Sequence, residues 1–415
     1  MRIGFACLAI GVPDTEIQGC ILKNATEERL LALIEHNLTS LHKLITYNVR
    51  NGIRLFRISS DLIPFGSSVA ANLPWPSVFA DQLESISRQI FESGLRVSMH
   101  PGQYTVLNSP DPGVVKRAVL DLEYHAKILD RLGVGPANKI IIHLGGVYGD
   151  KVEAKRRFIQ NYKELPPNIR HRLILENDDS LYTIDDILEV ASATGMPAVF
   201  DHLHHAVNAP DQARSDSDWI RDCASTWQAQ DGVPKIHYSQ QKTGKKAGAH
   251  SDTIRIDPFL DYCQQLTGLD VDIMLEVKDK NLSALKCINC LADGDIRRLE
   301  AEWARYKYSV LEHDPAAYQA IRQLLRDKQA YPALTFYQLV EQAMDKAENV
   351  GHSVNAAQHV WGYFKDKASD GEKNRFQNLM QRYSSGDGNL AAIKKNLLTL
   401  ARKYNEDYLL NSYYF

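Results

Sequence analysis

Residues 96–107 read RVSMHPGQYTVL, and the stretch changes character in its middle. Arg96 to His100 alternates charged, apolar, polar and apolar before a histidine, which is the pattern of a strand. Pro101 and Gly102 end it at once, because proline has no N–H to donate and glycine permits a sharp turn. Gln103 and Tyr104 then present an amide and a ring on a tight loop. Outward from here one unit recurs: a short apolar strand, a polar exit, an amphipathic helix. Its other strands are RIGFAC (2–7), RLFRISS (54–60), KIIIHL (139–144), RLILEN (172–177), AVFDHL (198–203), KIHYS (235–239) and DIMLEV (272–277). Thr26 caps a helix whose Leu30, Leu33, Ile34, Leu38 and Leu41 fall at helical spacing. A second helix is expected from near Ser77, and a third after SPDPG (109–113), which supplies a cap and a break. Eight strands alternating with helices predict an α/β fold, a parallel (β/α)8 TIM barrel. A doubly wound open sheet is the competing arrangement.

Beyond about residue 295 the strand pattern stops. Eleven of the nineteen tyrosines lie there, and WARYKYSVLEH (303–313), QHVWGYFKDK (358–367) and NLAAIKKNLLTLARKYNEDYLLNSYYF (389–415) read as aromatic-rich amphipathic helices. The expected division is a barrel over 1–292 and a smaller all-helical domain over 293–415. The closing Tyr-Tyr-Phe should dock, since a free tail rarely exposes three rings. His352 and His359 have no acidic partners at ligand spacing and read as structural.

With 44% apolar and 24% charged residues the chain is a globular protein rather than a disordered one. A net charge of −3 gives no global positive field, so nucleic-acid contacts must come from local basic patches. The apolar run at the N-terminus is broken by Pro13 and Asp14, which makes a poor signal peptide, and no stretch reaches the length of a membrane span. Six cysteines without framework spacing fit a reducing cytoplasm. CINC (287–290) has no second pair nearby and reads as two helix cysteines.

The chemistry gathers at the strand ends, the face where such barrels place active sites. His100, His143, Glu176, Asp201, His237 and Glu276 stand at the exits of strands three to eight in order. His204 follows Asp201 by three, and His250 lies in the loop after strand seven. Six consecutive exits in imidazole or carboxylate would form a costly buried cluster unless something neutralised it. These are ligands shared by zinc, manganese and iron. Eight are too many for one ion, so two or three metals are expected, with a carboxylate such as Glu176 bridging. Lys235 precedes His237 by two and leaves the strand on the same face. An ammonium among cations would be repelled, so it should be neutral, carbamylated, or turned outward onto a phosphate. Closely spaced divalent cations suit phosphodiester hydrolysis, activating water near neutral pH and stabilising both oxygens of an in-line displacement.

MHPGQY (99–104), HLGGVYGDK (143–151), LENDD (175–179), DHLHHAVN (201–208), KIHYSQQ (235–241) and GAHS (248–251) together resemble the UV damage endonuclease family, in order over roughly 1–280. Abasic-site endonucleases and xylose isomerase-like barrels belong to the same broad group. The resemblance implies a DNA repair nuclease with a three-metal cluster, most often manganese, with zinc, magnesium or cobalt as alternatives. It implies nicking of double-stranded DNA immediately 5′ of a UV photoproduct. The eight residues above would be metal ligands, and Glu276, Lys235 and His237 the catalytic set. Lys235 matches a lysine the family can carry carboxylated. Gln103 and Tyr104 match the pair that wedges into the duplex, an insertion favoured where damage has weakened pairing.

Three positions depart from the family pattern. Ser68 stands where a site histidine is common, Phe5 where tyrosine is frequent, and Ala9 where an asparagine can occur. Phe5 is expected to stack on a base without donating a hydrogen bond. The loop SQQKTGKKAGAHS brings Lys242, Lys245 and Lys246 beside the site as phosphate contacts, and Arg156 and Arg157 are weaker candidates. The C-terminal pieces resemble, less specifically, a helical bacterial domain of unknown function. The reading is a monomeric, cytoplasmic bacterial repair endonuclease acting on UV-damaged DNA. An abasic-site endonuclease or sugar isomerase of the same barrel group, or a damage-binding protein that does not cut, remain as alternatives.

Overall fold

The computed structural model describes residues 1–211 and 213–415. Eight short parallel strands close into a barrel in sequence order: β1 (Ile3–Ala6), β2 (Leu55–Ile58), β3 (Arg96–Met99), β4 (Ile140–Ile142), β5 (Leu173–Glu176), β6 (Ala198–Asp201), β7 (Lys235–Tyr238) and β8 (Asp272–Leu275). β8 pairs back onto β1, which excludes the open doubly wound sheet. Every expected strand is present but shorter, so His100, His143 and Glu276 lie just past strand ends. The surrounding helices are α1 (Glu27–Arg50), α2 (Ala80–Ser93), α3 (Pro112–Arg131), α4 (Lys151–Glu164), α5 (Ile184–Thr194), α6 (Asp216–Ser225), α7 (Ile256–Gln265) and α8 (Asn281–Leu291). Thr26 caps α1 by accepting from the Arg29 N–H, as expected. The helix expected from Ser77 begins at Ala80, after a single turn at Trp75–Val78.

Strand alternation sorts side chains between the barrel interior and the helix layer. Arg57 faces inward, where it meets His237 of β7 and Glu276 just past β8. Its neighbour Phe56 therefore faces the helices, and Phe5 lies in register with Phe56. The barrel floor is charged and paired: Arg96 bridges Asp272 at 3.0 Å and lies over the Trp227 ring, while Lys139 pairs with Asp231. Ile141, Ile174, Val199 and Trp227 pack together as a buried cluster.

Two compact units emerge. One is Met1–Ile10, Asp14–Ile254 and Pro258–Leu285; the other is Gly11–Pro13, Arg255–Asp257 and Lys286–Phe415. The second unit contains α9 (Ile296–His313), α10 (Pro315–Leu324), α11 (Ala333–Met344), α12 (Val350–Trp361), α13 (Asp370–Ser384) and α14 (Leu390–Lys403). Its core includes Tyr308, Phe364, Phe376, Leu397 and Tyr414. The chain end is docked as expected: Tyr414 is buried, and the Tyr413 N–H donates to the Arg305 carbonyl at 3.0 Å. No helix among the described residues is long and apolar enough to cross a membrane.

Candidate metal centre

Strand closure turns residues far apart in sequence into one constellation. Three groups have ligand atoms within 4.8 Å of one another: His100, His143 and Glu176; Glu176, Asp201 and His204; Glu176, His237 and Glu276. Glu176 belongs to all three and is buried at the centre. Its Oε2 faces His100 Nε2 at 3.4 Å and His143 Nε2 at 3.7 Å. Its Oε1 accepts from His237 Nδ1 at 2.7 Å. His250 joins from the rim, with Nε2 3.9 Å from Glu276 Oε2 and its ring 6.3 Å from that of His204. All eight expected ligands therefore share one mouth.

Arg57 was not singled out in the sequence, and it organises this mouth. Its guanidinium pairs with Glu276 Oε1 at 2.6 Å and donates to His237 Nε2 at 2.9 Å. Because an arginine can only donate, Nε2 must accept, which leaves the His237 proton on Nδ1 for Glu176. Charge in the middle of LFRI was the available signal, since a buried strand arginine requires a partner. Asn177 was missed as well: its side chain bonds both backbone groups of Asp201, and its carbonyl faces His204 Nδ1 at 3.0 Å.

The electrostatics divide the carboxylates. Burial works against charge on Glu176, but His237 and His143 hold it well below the usual carboxylate range. Burial likewise opposes ionisation of Glu276, and Arg57 and His237 overcome it. At Asp201 burial wins, aided by the charges of Glu176 and Glu276, and pushes the carboxyl up. Burial disfavours the His204 imidazolium, yet Asp201, Glu176 and Glu276 raise it to about 9. Asp201 Oδ2 is buried and hydrogen-bonds to nothing among the described residues. An unpaired buried carboxylate oxygen beside imidazoles is a donor set that fits a divalent transition metal.

Lys235 does not turn outward onto a phosphate. Its side chain is 1% exposed, and its Nζ has no hydrogen-bond partner among the described residues. Burial, with Arg96 and Arg57 nearby, pushes the ammonium well down. Phe5 is also corrected as a base contact. It is fully buried on the helix side of β1, edge to face with Phe56 at 5.2 Å, and cannot reach a base. Ser68 is exposed, and its hydroxyl donates to the Phe65 carbonyl at 3.4 Å. It lines a cavity of about 510 Å³ with Tyr104, Asp121 and Tyr124.

Gln103 and Tyr104 are exposed at the same end of the barrel, Tyr104 by 72%. Thr105 Oγ1 anchors their loop to α3 by donating to Asp121 Oδ2 at 2.6 Å. Lys245 and Lys246 are exposed, whereas Lys242 pairs with Asp252 at 2.6 Å. Arg156 pairs with Glu153, and Arg157 donates to the Asn108 carbonyl. Cys287 and Cys290 both lie on α8, as expected for two helix cysteines.

Residues 1–304 match the family described as UV-endonuclease UvdE, and residues 307–415 match one described as a protein of unknown function (DUF1722). A UV DNA damage endonuclease of Clostridium perfringens is 36% identical over 385 residues, 92% of this chain and 92% of that protein. Another from Bacillus cereus is 34% identical, covering 70% of this chain and 95% of its own. The crystal structure of SacUVDE superposes with a TM-score of 0.66 at 37% identity, over 70% of this chain and 98% of that one.

Proposed function

The chain belongs to the UV-endonuclease UvdE family, and we propose that it nicks UV-damaged double-stranded DNA immediately 5′ of the photoproduct, acting as a monomer in the bacterial cytoplasm. The observation that carries this reading is Glu176 shared among three carboxylate–histidine groups at one barrel mouth. His100, His143, Glu176, Asp201, His204, His237, His250 and Glu276 would hold two or three divalent ions, manganese foremost. Such ions supply Lewis-acid activation of water and of the scissile phosphate.

The chain's own residues do the positioning. Glu276, kept ionised by Arg57, orients the attacking water. Hydrogen bonds to Glu176 and Arg57 hold the His237 ring between the two carboxylates, and one of them would give way where a ring nitrogen takes a metal. Lys235 sits behind it with its amine pushed toward neutrality, the form that adds carbon dioxide. Carboxylation would replace the buried amine, which burial and the charges of Arg96 and Arg57 depress, by an anion that those cations favour. Gln103 and Tyr104 would enter the duplex at the lesion, and Lys245 and Lys246 would meet backbone phosphates.

The test is nicking of supercoiled plasmid, irradiated or not, with manganese or with EDTA. Metal-dependent nicking of the irradiated plasmid alone is expected, and Asp201→Ala should lower it at least about 100-fold. Binding without nicking would instead favour a damage-binding protein. Equal nicking of both plasmids would keep the hydrolytic centre and remove the lesion-probing role from Gln103 and Tyr104.

A further inference from the structure

The loops after β3 and β4 are built alike. Each leaves its strand on a candidate metal ligand, His100 or His143, and each then runs Gly-x-Tyr: Gly102-Gln103-Tyr104 and Gly146-Val147-Tyr148. In both, the tyrosine ring folds back over the glycine. A Cβ on Gly102 would lie 2.4 Å from the Tyr104 ring, and one on Gly146 would lie 3.1 Å from the Tyr148 ring. Both rings are exposed, Tyr104 by 72% and Tyr148 by 47%. Tyr148 moreover has φ +50°, a left-handed conformation that a bulky aromatic rarely adopts. A ring left about half exposed gains only part of the burial energy that would offset that strain, so the strained backbone serves to fix where the ring points.

The two loops brace each other. Asn108, downstream of Tyr104, donates to the Gly146 carbonyl at 2.7 Å, and Tyr182 Oη donates to the same oxygen at 3.0 Å. Arg157 Nε returns to the Asn108 carbonyl at 2.9 Å, while its guanidinium lies 5.7 Å from the centroid of the Tyr148 ring. Tyr104 and Tyr148 therefore stand on one scaffold, and the second ring is backed by a cation suited to a polyanionic ligand.

From this repetition we infer that Tyr148 is a second duplex-probing residue, stacking on a base unpaired at the lesion while Tyr104 engages another. The inference rests on the lesion-probing reading of Gln103 and Tyr104. Aromatic stacking needs a ring face and tolerates any base, so it suits a damaged step whose pairing partner has changed. Tyr148 would then govern how readily a paired lesion is opened and leave the hydrolytic step untouched.

The experiment compares wild type, Tyr148→Ala and Tyr148→Phe on two labelled duplexes carrying one UV-crosslinked thymine pair. In one the flanking bases are paired; in the other they are held unpaired in a bubble. Tyr148→Ala should lower kcat/KM on the paired duplex about 10-fold and recover to near wild type on the bubble, while Tyr148→Phe stays near wild type on both. A 2-aminopurine opposite the lesion should brighten on binding wild type and stay dim with Tyr148→Ala. Equal losses on both substrates, or none on either, would overturn the assignment. A wild type that binds yet never nicks would remove the nuclease reading alone, because the fluorescence arm still decides Tyr148.

Discussion

Glu302 is a carboxylate buried in α9, with Tyr337 Oη donating to it at 3.4 Å and Arg305 at 3.5 Å. Burial outweighs both partners and raises it from 4.5 to about 7. The folded state thus binds this proton more tightly than the unfolded chain. Its contribution is fully present below pH 4.5 and is lost as pH rises through 7. Glu302→Gln should keep the contact with Tyr337 and remove that loss, gaining up to about 3 kcal/mol at pH 8 and little at pH 4.5. Denaturant unfolding at the two pH values measures this, and an unchanged pH slope would sink it. The same scale exposes a limit of sequence reading. Glu302 looks like any helical glutamate in AEWARYKY, and only packing determines that its carboxyl is enclosed.

At the level of elements, the loop after β4 depends on Gly145. Its φ is +101°, and a Cβ there would lie 2.6 Å from Asn108 Oδ1 and 2.8 Å from Val106 Cγ1. Gly145→Ala should therefore destabilise the protein by about 1–3 kcal/mol and loosen the braced loops. Gly149 provides the control, with φ +83° but open space around its Cβ position. Gly149→Ala carries the backbone strain alone and should cost about 1 kcal/mol. Thermal unfolding of the pair separates crowding from conformation, and equal losses would show that contact with Asn108 is immaterial. The strands were legible because apolar runs ending in polar residues are local patterns. Their ends were overextended because hydrogen bonding stops where the barrel opens, which a local pattern does not record.

For the whole molecule, the proposed metal binding would be linked to folding energy, since the candidate ligands converge only when the strands close into the barrel. Manganese at 100 times its Kd should raise the stability of the barrel unit by about 2.7 kcal/mol. Calorimetry with manganese and with EDTA reads this as a shift in the transition that carries the barrel. Asp201→Ala should abolish the shift while leaving the transition in EDTA intact. An equal shift in wild type and Asp201→Ala would place manganese elsewhere on the protein.

The sequence by itself determined the strand order, the change to helices beyond the barrel and which eight imidazole and carboxylate side chains gather at the barrel mouth, because periodicity and strand-end polarity are carried by neighbouring residues. Only the tertiary structure decided that Arg57 joins Glu276 and His237, that Lys235 is buried inside the barrel, and that Phe5 faces the helices. Those outcomes depend on the register in which distant strands meet when the sheet closes. A shift of one residue would exchange the interior row for the exterior one. Tyr104 and Tyr148 show the same division: each Gly-x-Tyr is written locally, but the hydrogen bonds that make them one scaffold exist only in the closed barrel.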